Sequence, residues 1–238
     1  MLSAKPWRAE AVCFFIAAQF LCFFLGATAI GLLQKMGVTG FKNDNDFGCI
    51  LLMTLSFQGA TWILMAIFFR MHDLSWGEGI GLKNGNLRSA LLLALAMFIV
   101  VLPVTYVLQE VSVTLMEKIH WMPKEEPAVT LLMGATSRAS AVYLGFFAVV
   151  LAPVAEEFIF RGVLFPFVKQ LGFPKTAWIG ISLLFALIHA TATIFIPLFV
   201  LALALTWLYE KTGTLMAPIF AHALFNVSGL VLIPYLSR

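Results

Sequence analysis

Four stretches of this chain, each the length of one membrane span, run without one Asp, Glu, Lys or Arg: Ala11–Leu33, Phe47–Phe69, Ser89–Gln109 and Leu215–Leu236. A helix rising ~1.5 Å per residue needs about 20 apolar residues to cross a hydrocarbon layer ~30 Å thick. Composition agrees, with 61% of the 238 residues apolar and only 11% charged. A soluble domain carries about 25% charged residues, so polar side chain is too scarce here to cover a water-facing surface. A water-soluble enzyme, a disordered tail and a DNA-binding domain are excluded. The net charge of +3 is spread over loops and points to no nucleic acid or other acidic partner. The fold class is all-α, a polytopic transmembrane helix bundle.

The first stretch follows Lys5 and Arg8, and Ala27-Thr28-Ala29 resembles a signal-peptide cleavage site. Its apolar run exceeds a signal core, so it is read as a retained span. From Ala139 to Leu171 the chain reads as one long helix, interrupted by Glu156, Glu157 and Arg161 and bent at Pro153 or Pro166. Ala177–Tyr209 is too long for one upright helix. It is divided near Pro197 into Ala177–Thr191 and Phe195–Tyr209. The sum is seven spans, within a range of six to eight. The connection Glu110–Arg138 is partly amphipathic and either extends the third helix or lies at the interface. Residues 1–138 are thus N-terminal membrane helices and loops, and 139–238 form the core that carries the chemistry. With the N-terminus inside, eight flanking basic residues fall on the cytoplasmic side and six outside, a small bias in the expected direction. Trp7, Trp76, Trp121 and Trp207 fit interfacial anchoring. Cys13, Cys22 and Cys49 read as small hydrophobes.

Ionisable groups in hydrocarbon are costly, so those inside spans are functional candidates. All of them lie in the second half: Glu156, Glu157, Arg161, His189 and His222. Glu157 and Arg161 are four apart on one helix face and can neutralise each other. Glu156 projects about 100° away, and an unclaimed carboxylate in a dry site is available as a general base. His222 and Asn226 share one stripe of the last helix, and Phe185 lies one turn before His189. Two chemistries suit this set. Glu156, assisted by His189, would take a proton from water attacking an amide, with His222 and Asn226 donating to the oxyanion. Alternatively Glu156, His189 and His222 would hold Zn²⁺ with water in the open position. Other intramembrane proteases do not fit: the chain has no H-E-x-x-H, its Asp residues lie only in loops, and Ser228-Gly229 lacks a G-x-S-G context. A second acidic pair, Glu125-Glu126, sits in a loop with Thr130 where an arginine would be needed, and reads as solvated.

Glu156-Glu157-x-x-x-Arg161, Phe185-x-x-x-His189 and His222-x-x-x-Asn226, in that order and all in membrane helices, resemble the CPBP (Abi) family. That family comprises type II CAAX prenyl endopeptidases and bacteriocin-processing or self-immunity proteins. The resemblance covers roughly Ala139–Gly229. It implies an intramembrane endopeptidase with Glu156 as water-activating base, His189 as its partner, His222 and Asn226 as oxyanion donors, and Glu157, Arg161 and Phe185 in support. Zinc is left open by the resemblance, because members have been described as metalloproteases and as metal-independent glutamate proteases. The implied partners are membrane lipid and a peptide or lipidated protein. The implied setting is a bacterial inner membrane, with the site open to the cytoplasm. The rival classes are a transporter using the same buried Glu/His cluster and a non-catalytic immunity or scaffold protein.

Overall fold

The computed structural model describes residues 7–83, 85–121 and 137–236. The acidic pair Glu125-Glu126 lies outside them. Among the described residues eight helices follow in order: α1 (Ala9–Lys35), α2 (Phe47–Met71), α3 (Trp76–Gly79), α4 (Leu87–Lys118), α5 (Arg138–Gln170), α6 (Pro174–Ile188), α7 (Ala192–Thr212) and α8 (Met216–Leu236). The described residues contain no strand. Five helices, α1, α2, α4, α5 and α7, are long and apolar enough to cross a membrane, and α6 and α8 are shorter apolar ones. The protein is an all-α integral membrane bundle, and its helices accord with about seven spans. The third helix does continue past Gln109, as far as Lys118.

α5 is continuous but not regular. It holds two π-helical turns, Phe147–Leu151 and Phe158–Leu164, each followed closely by a proline. The first has a simple chemical account. Ala152 donates its N–H to the Phe147 carbonyl, five residues back. In that register the Ala148 carbonyl should meet the N–H of residue 153, which is proline and has none. The Asn226 amide on α8 takes its place, at 2.7 Å. Pro166 likewise withholds the N–H that the Gly162 carbonyl would accept in α-helical register. That carbonyl accepts from the Trp7 indole Nε1 at 2.9 Å. Each proline of α5 thus frees a carbonyl that another segment of the chain captures.

Two expectations are corrected. The division between α6 and α7 falls at His189-Ala190-Thr191 rather than at Pro197, which lies inside α7. The turn is made by Ala190, whose φ of 52° is left-handed and ends α6. Trp7 is not an interfacial anchor, since it is only 4% exposed and packs its ring edge-on to Phe68.

One end of the bundle is tied together by contacts far apart in sequence. The Trp7 N–H donates to the Gln170 side chain, and Arg8 reaches the Met71 carbonyl. Leu215 donates its N–H to the Ile80 carbonyl, and Lys169 pairs with Glu210. This end gathers the start of α1 and the α2–α4, α5–α6 and α7–α8 connections. The main core beneath it joins α1, α2 and α5 through Phe15, Phe68, Phe69 and Phe158. A second cluster joins α4, α7 and α8 through Met97, Leu205 and Phe225.

Candidate active site

The site starts from a fully buried ion pair. Arg161 Nη1 donates to Glu157 Oε1 at 2.8 Å, and neither side chain has any exposed surface. The i, i+4 spacing places them together, and α7 completes the guanidinium's hydrogen bonds. Arg161 Nη2 donates to the Ala202 carbonyl at 3.0 Å and Nε to the Thr206 hydroxyl at 3.4 Å. Ser182 on α6 lies 3.4 Å from the same hydroxyl. The guanidinium also sits 4.7 Å from the Phe185 ring centroid. A buried cation tolerates this depth only when its donors are matched in this way.

His222 extends the pair. Its Nδ1 lies 2.8 Å from the same Glu157 oxygen. An ionised carboxylate only accepts, so Nδ1 carries the hydrogen and Nε2 is the free nitrogen of the neutral ring. That Nε2 points toward Glu156, 3.8 Å from Oε2. This exceeds a hydrogen bond but leaves both atoms within reach of one small molecule lying beside them. Glu156 Oε2 is buried and has no hydrogen-bond partner among the described residues. The order is therefore Arg161, Glu157, His222, Glu156, drawn from α5 and α8.

His189 closes α6. Its Nδ1 donates to the Phe185 carbonyl at 2.7 Å, which again leaves Nε2 free. The Phe185 ring is shared, with centroid distances of 4.8 Å to His189 and 5.8 Å to His222. The imidazole within 4 Å of Glu156 is that of His222. Asn226 lies one turn beyond His222 and spends one amide hydrogen on Ala148.

A zinc ion would find suitable donors here, two imidazole Nε2 atoms and a carboxylate, with both Nδ1 atoms held as metal-bound histidines usually are. Convergence is what the geometry lacks. No group of three or more His, Cys, Asp or Glu side chains among the described residues is close enough to hold one ion.

Residue by residue, α5 and α8 bring together Glu156, Glu157, Arg161 and His222, with His189 and Phe185 alongside. Ser182, Thr206 and the Ala202 carbonyl were not anticipated, although a Ser and a Thr in apolar helices are the usual mark of hydrogen bonding between helices.

Residues 138–228 match the sequence model of the family described as type II CAAX prenyl endopeptidase Rce1-like. The resemblance to that family holds over this segment. It contains every motif residue from Glu156 to Asn226. The chain is also similar to the UPF0177 protein YxdF of Lactococcus lactis subsp. lactis (strain IL1403), 28% identical over 81 residues. Those residues are 34% of this chain and 44% of that protein, so the match spans less than half the relative's length. No solved structure gives a significant match.

Proposed function

We propose that the protein is an intramembrane endopeptidase that hydrolyses a peptide bond of a membrane-presented substrate. The single observation that carries this reading is the buried, unpartnered Oε2 of Glu156 facing the free nitrogen of a histidine that Glu157 orients. An acid and an imidazole 3.8 Å apart, neither spent on the other, can both hydrogen-bond one water lying beside them, which suits its activation.

Glu156 takes a proton from water while the oxygen attacks the amide carbon and the carbonyl electrons move onto oxygen. The oxyanion accepts from the second amide hydrogen of Asn226. It accepts from His222 only when that ring is doubly protonated, because the neutral ring gives its hydrogen to Glu157. Glu157 stabilises the charged ring as a carboxylate does behind a catalytic histidine. The tetrahedral adduct then collapses, the C–N bond breaks, and Glu156 returns its proton to the leaving amine. His189 supplies a second free Nε2 across the Phe185 ring to orient the water. These groups suffice without a metal, and hydrolysis is expected to survive chelation.

The substrate class is a lipidated or membrane-embedded peptide, either prenylated and of CAAX type or bacteriocin-like. The family match supports this choice. Arg8, Arg70, Lys83, Lys169, Lys175 and Lys211 lie at or beside the end that holds the start of α1, which supports placing that end in the cytoplasm.

The test is hydrolysis of a prenylated or membrane-anchored reporter peptide in proteoliposomes. Glu156→Gln should lower turnover by about 10²–10⁴, the usual worth of a positioned base, with unchanged expression and elution profile. His189→Ala should also abolish most activity. Hydrolysis by Glu156→Gln at the parent rate overturns the reading, and solute flux without cleavage favours a transporter.

A further inference from the structure

Trp7, just ahead of α1, is clasped by α5 and by the end of α2. The Trp7 N–H donates to Gln170 Oε1 at 2.9 Å, and Gln170 Nε2 donates back to the Trp7 carbonyl at 2.6 Å. The indole Nε1 donates to the Gly162 carbonyl, the one that Pro166 leaves without an α-helical donor. The ring stands edge-on to Phe68 and His72, with centroids 5.0 and 4.8 Å away. Gly162 directly follows Arg161 in the π turn Phe158–Leu164, so the indole bond holds the backbone beside the buried guanidinium.

His72 fixes the next residue, Arg8, in a way that depends on charge. Its Nδ1 lies 2.8 Å from the Phe68 carbonyl, which can only accept, so Nδ1 carries the hydrogen. Its Nε2 accepts the Arg8 N–H at 3.0 Å, so that nitrogen must be bare. A proton on Nε2 would set N–H against N–H. The charge would also face the Arg8 guanidinium, which donates to the neighbouring Met71 carbonyl. The other charged groups within two residues of His72 in the chain are Arg70 and Asp73, and α5 presents the uncharged Gln170 to Trp7. Among the described residues no carboxylate lies within ion-pair distance of the ring. The Trp7 and Phe68 rings attract a cation weakly but supply no acceptor for it. Docking of Trp7-Arg8 and protonation of His72 therefore oppose each other.

We propose that Trp7 is a positioning residue for the Glu157–Arg161 pair and that neutral His72 is its latch, so that charging His72 undocks Trp7 and slows hydrolysis. The positioning role rests on the hydrolysis proposed above; the latch does not. Undocking takes up one proton at Nε2, releases the Arg8 N–H and leaves the Gly162 carbonyl without its captor. The undocked state binds more protons, so docking is complete in base and lost as pH falls, by up to about tenfold per pH unit for one proton.

Two readouts separate the parts. Hydrogen–deuterium exchange of the N-terminal peptide, which contains the Trp7 and Arg8 amides, is compared at matched pH between the parent and His72→Gln. Glutamine carries an acceptor at any pH. At about pH 8 the two should agree, and at about pH 5, where histidines are charged, the parent should exchange about tenfold faster. Equal exchange at both pH values overturns the latch. The second readout is turnover in proteoliposomes. Trp7→Phe keeps the ring and the main-chain bonds but lacks the indole hydrogen. Its kcat at about pH 8 should fall about fivefold with KM unchanged, the worth of one hydrogen bond. His72→Gln should match the parent at that pH and turn over about fivefold faster than it at about pH 5. Titration of Glu156 and His222 is common to both proteins and cancels in that ratio. With Trp7→Phe already in place, His72→Gln should bring no such advantage. Parent kcat in Trp7→Phe, or an undiminished acid advantage in its background, overturns the positioning role. If Trp7→Phe fails to fold, the acid ratio of His72→Gln to parent decides, and a ratio of one overturns that role. A parent that hydrolyses nothing at either pH overturns the hydrolysis and the positioning role together, while the exchange result still decides the latch.

Discussion

The π-helical turn of α2 and the first of the two in α5 are closed by different chemistry. In α2 the Phe57 carbonyl accepts from the Gln19 amide at 3.0 Å and lies 2.8 Å from the Thr61 hydroxyl. The groups are neutral, and two of them share the task. In α5 the Ala148 carbonyl has a single captor, Asn226, and the same helix then buries Glu157 and Arg161 completely, beside a partly buried Glu156. At this turn the first half of the molecule satisfies its backbone with spare capacity and no charge. The second half concentrates charge where each group has few alternatives. Redundancy marks the part that holds shape, and its absence marks the part where chemistry is expected.

Substitutions can break or sharpen that contrast. The largest effect should come from Arg161→Leu, which leaves Glu157 buried without its cation. Loss of about 3–5 kcal/mol is expected, read as a fall in the midpoint of thermal unfolding in detergent. Asn226→Ala should follow at about 1–3 kcal/mol, because it strands the Ala148 carbonyl. Gln19→Leu, the counterpart in the first half, should lose about 1 kcal/mol or less and leave hydrolysis unchanged, since Thr61 remains. If Gln19→Leu matched Asn226→Ala, the contrast would fail. The smallest effect belongs to the exposed α2–α4 connection, where Ser75 and Glu78 form a capping box on α3. The Ser75 hydroxyl, Lys83 and the Ser75 N–H hold the Glu78 carboxyl down to about 2 from 4.5. A depressed carboxyl contributes stability above its unfolded value and loses it as pH falls through the folded one. The Ser75 amide resonance should therefore stay fixed through pH 4.5 and move only near 2.

Much of this architecture was legible from charge-free runs, because the bilayer allows few alternatives to helices of a set length. The Glu157–Arg161 pair was legible too, because four-residue spacing fixes it within one helix. What escaped depends on contacts between helices. Nothing in the sequence states which nitrogen of His222 is occupied, because Glu157 decides it across a distance of 65 residues. The turn at Ala190 has no glycine to announce it, and Pro197 looked the better breaker. The π turns were hidden because a proline reads as a kink when no captor for the freed carbonyl is known. Trp7 looked like an anchor for the same reason, with its partner Gly162 on a helix 155 residues away.

Glu157 acquires its partners at two moments in the life of a nascent chain. Arg161 is synthesised four residues later, so α5 can enter the bilayer with that acid already matched by its own counter-ion. His222 emerges only with the final helix, α8. Until then the nascent chain lacks the imidazole that confronts Glu156. On the hydrolysis proposed above, a chain that still lacks α8 would hold Glu156 without the imidazole that faces it.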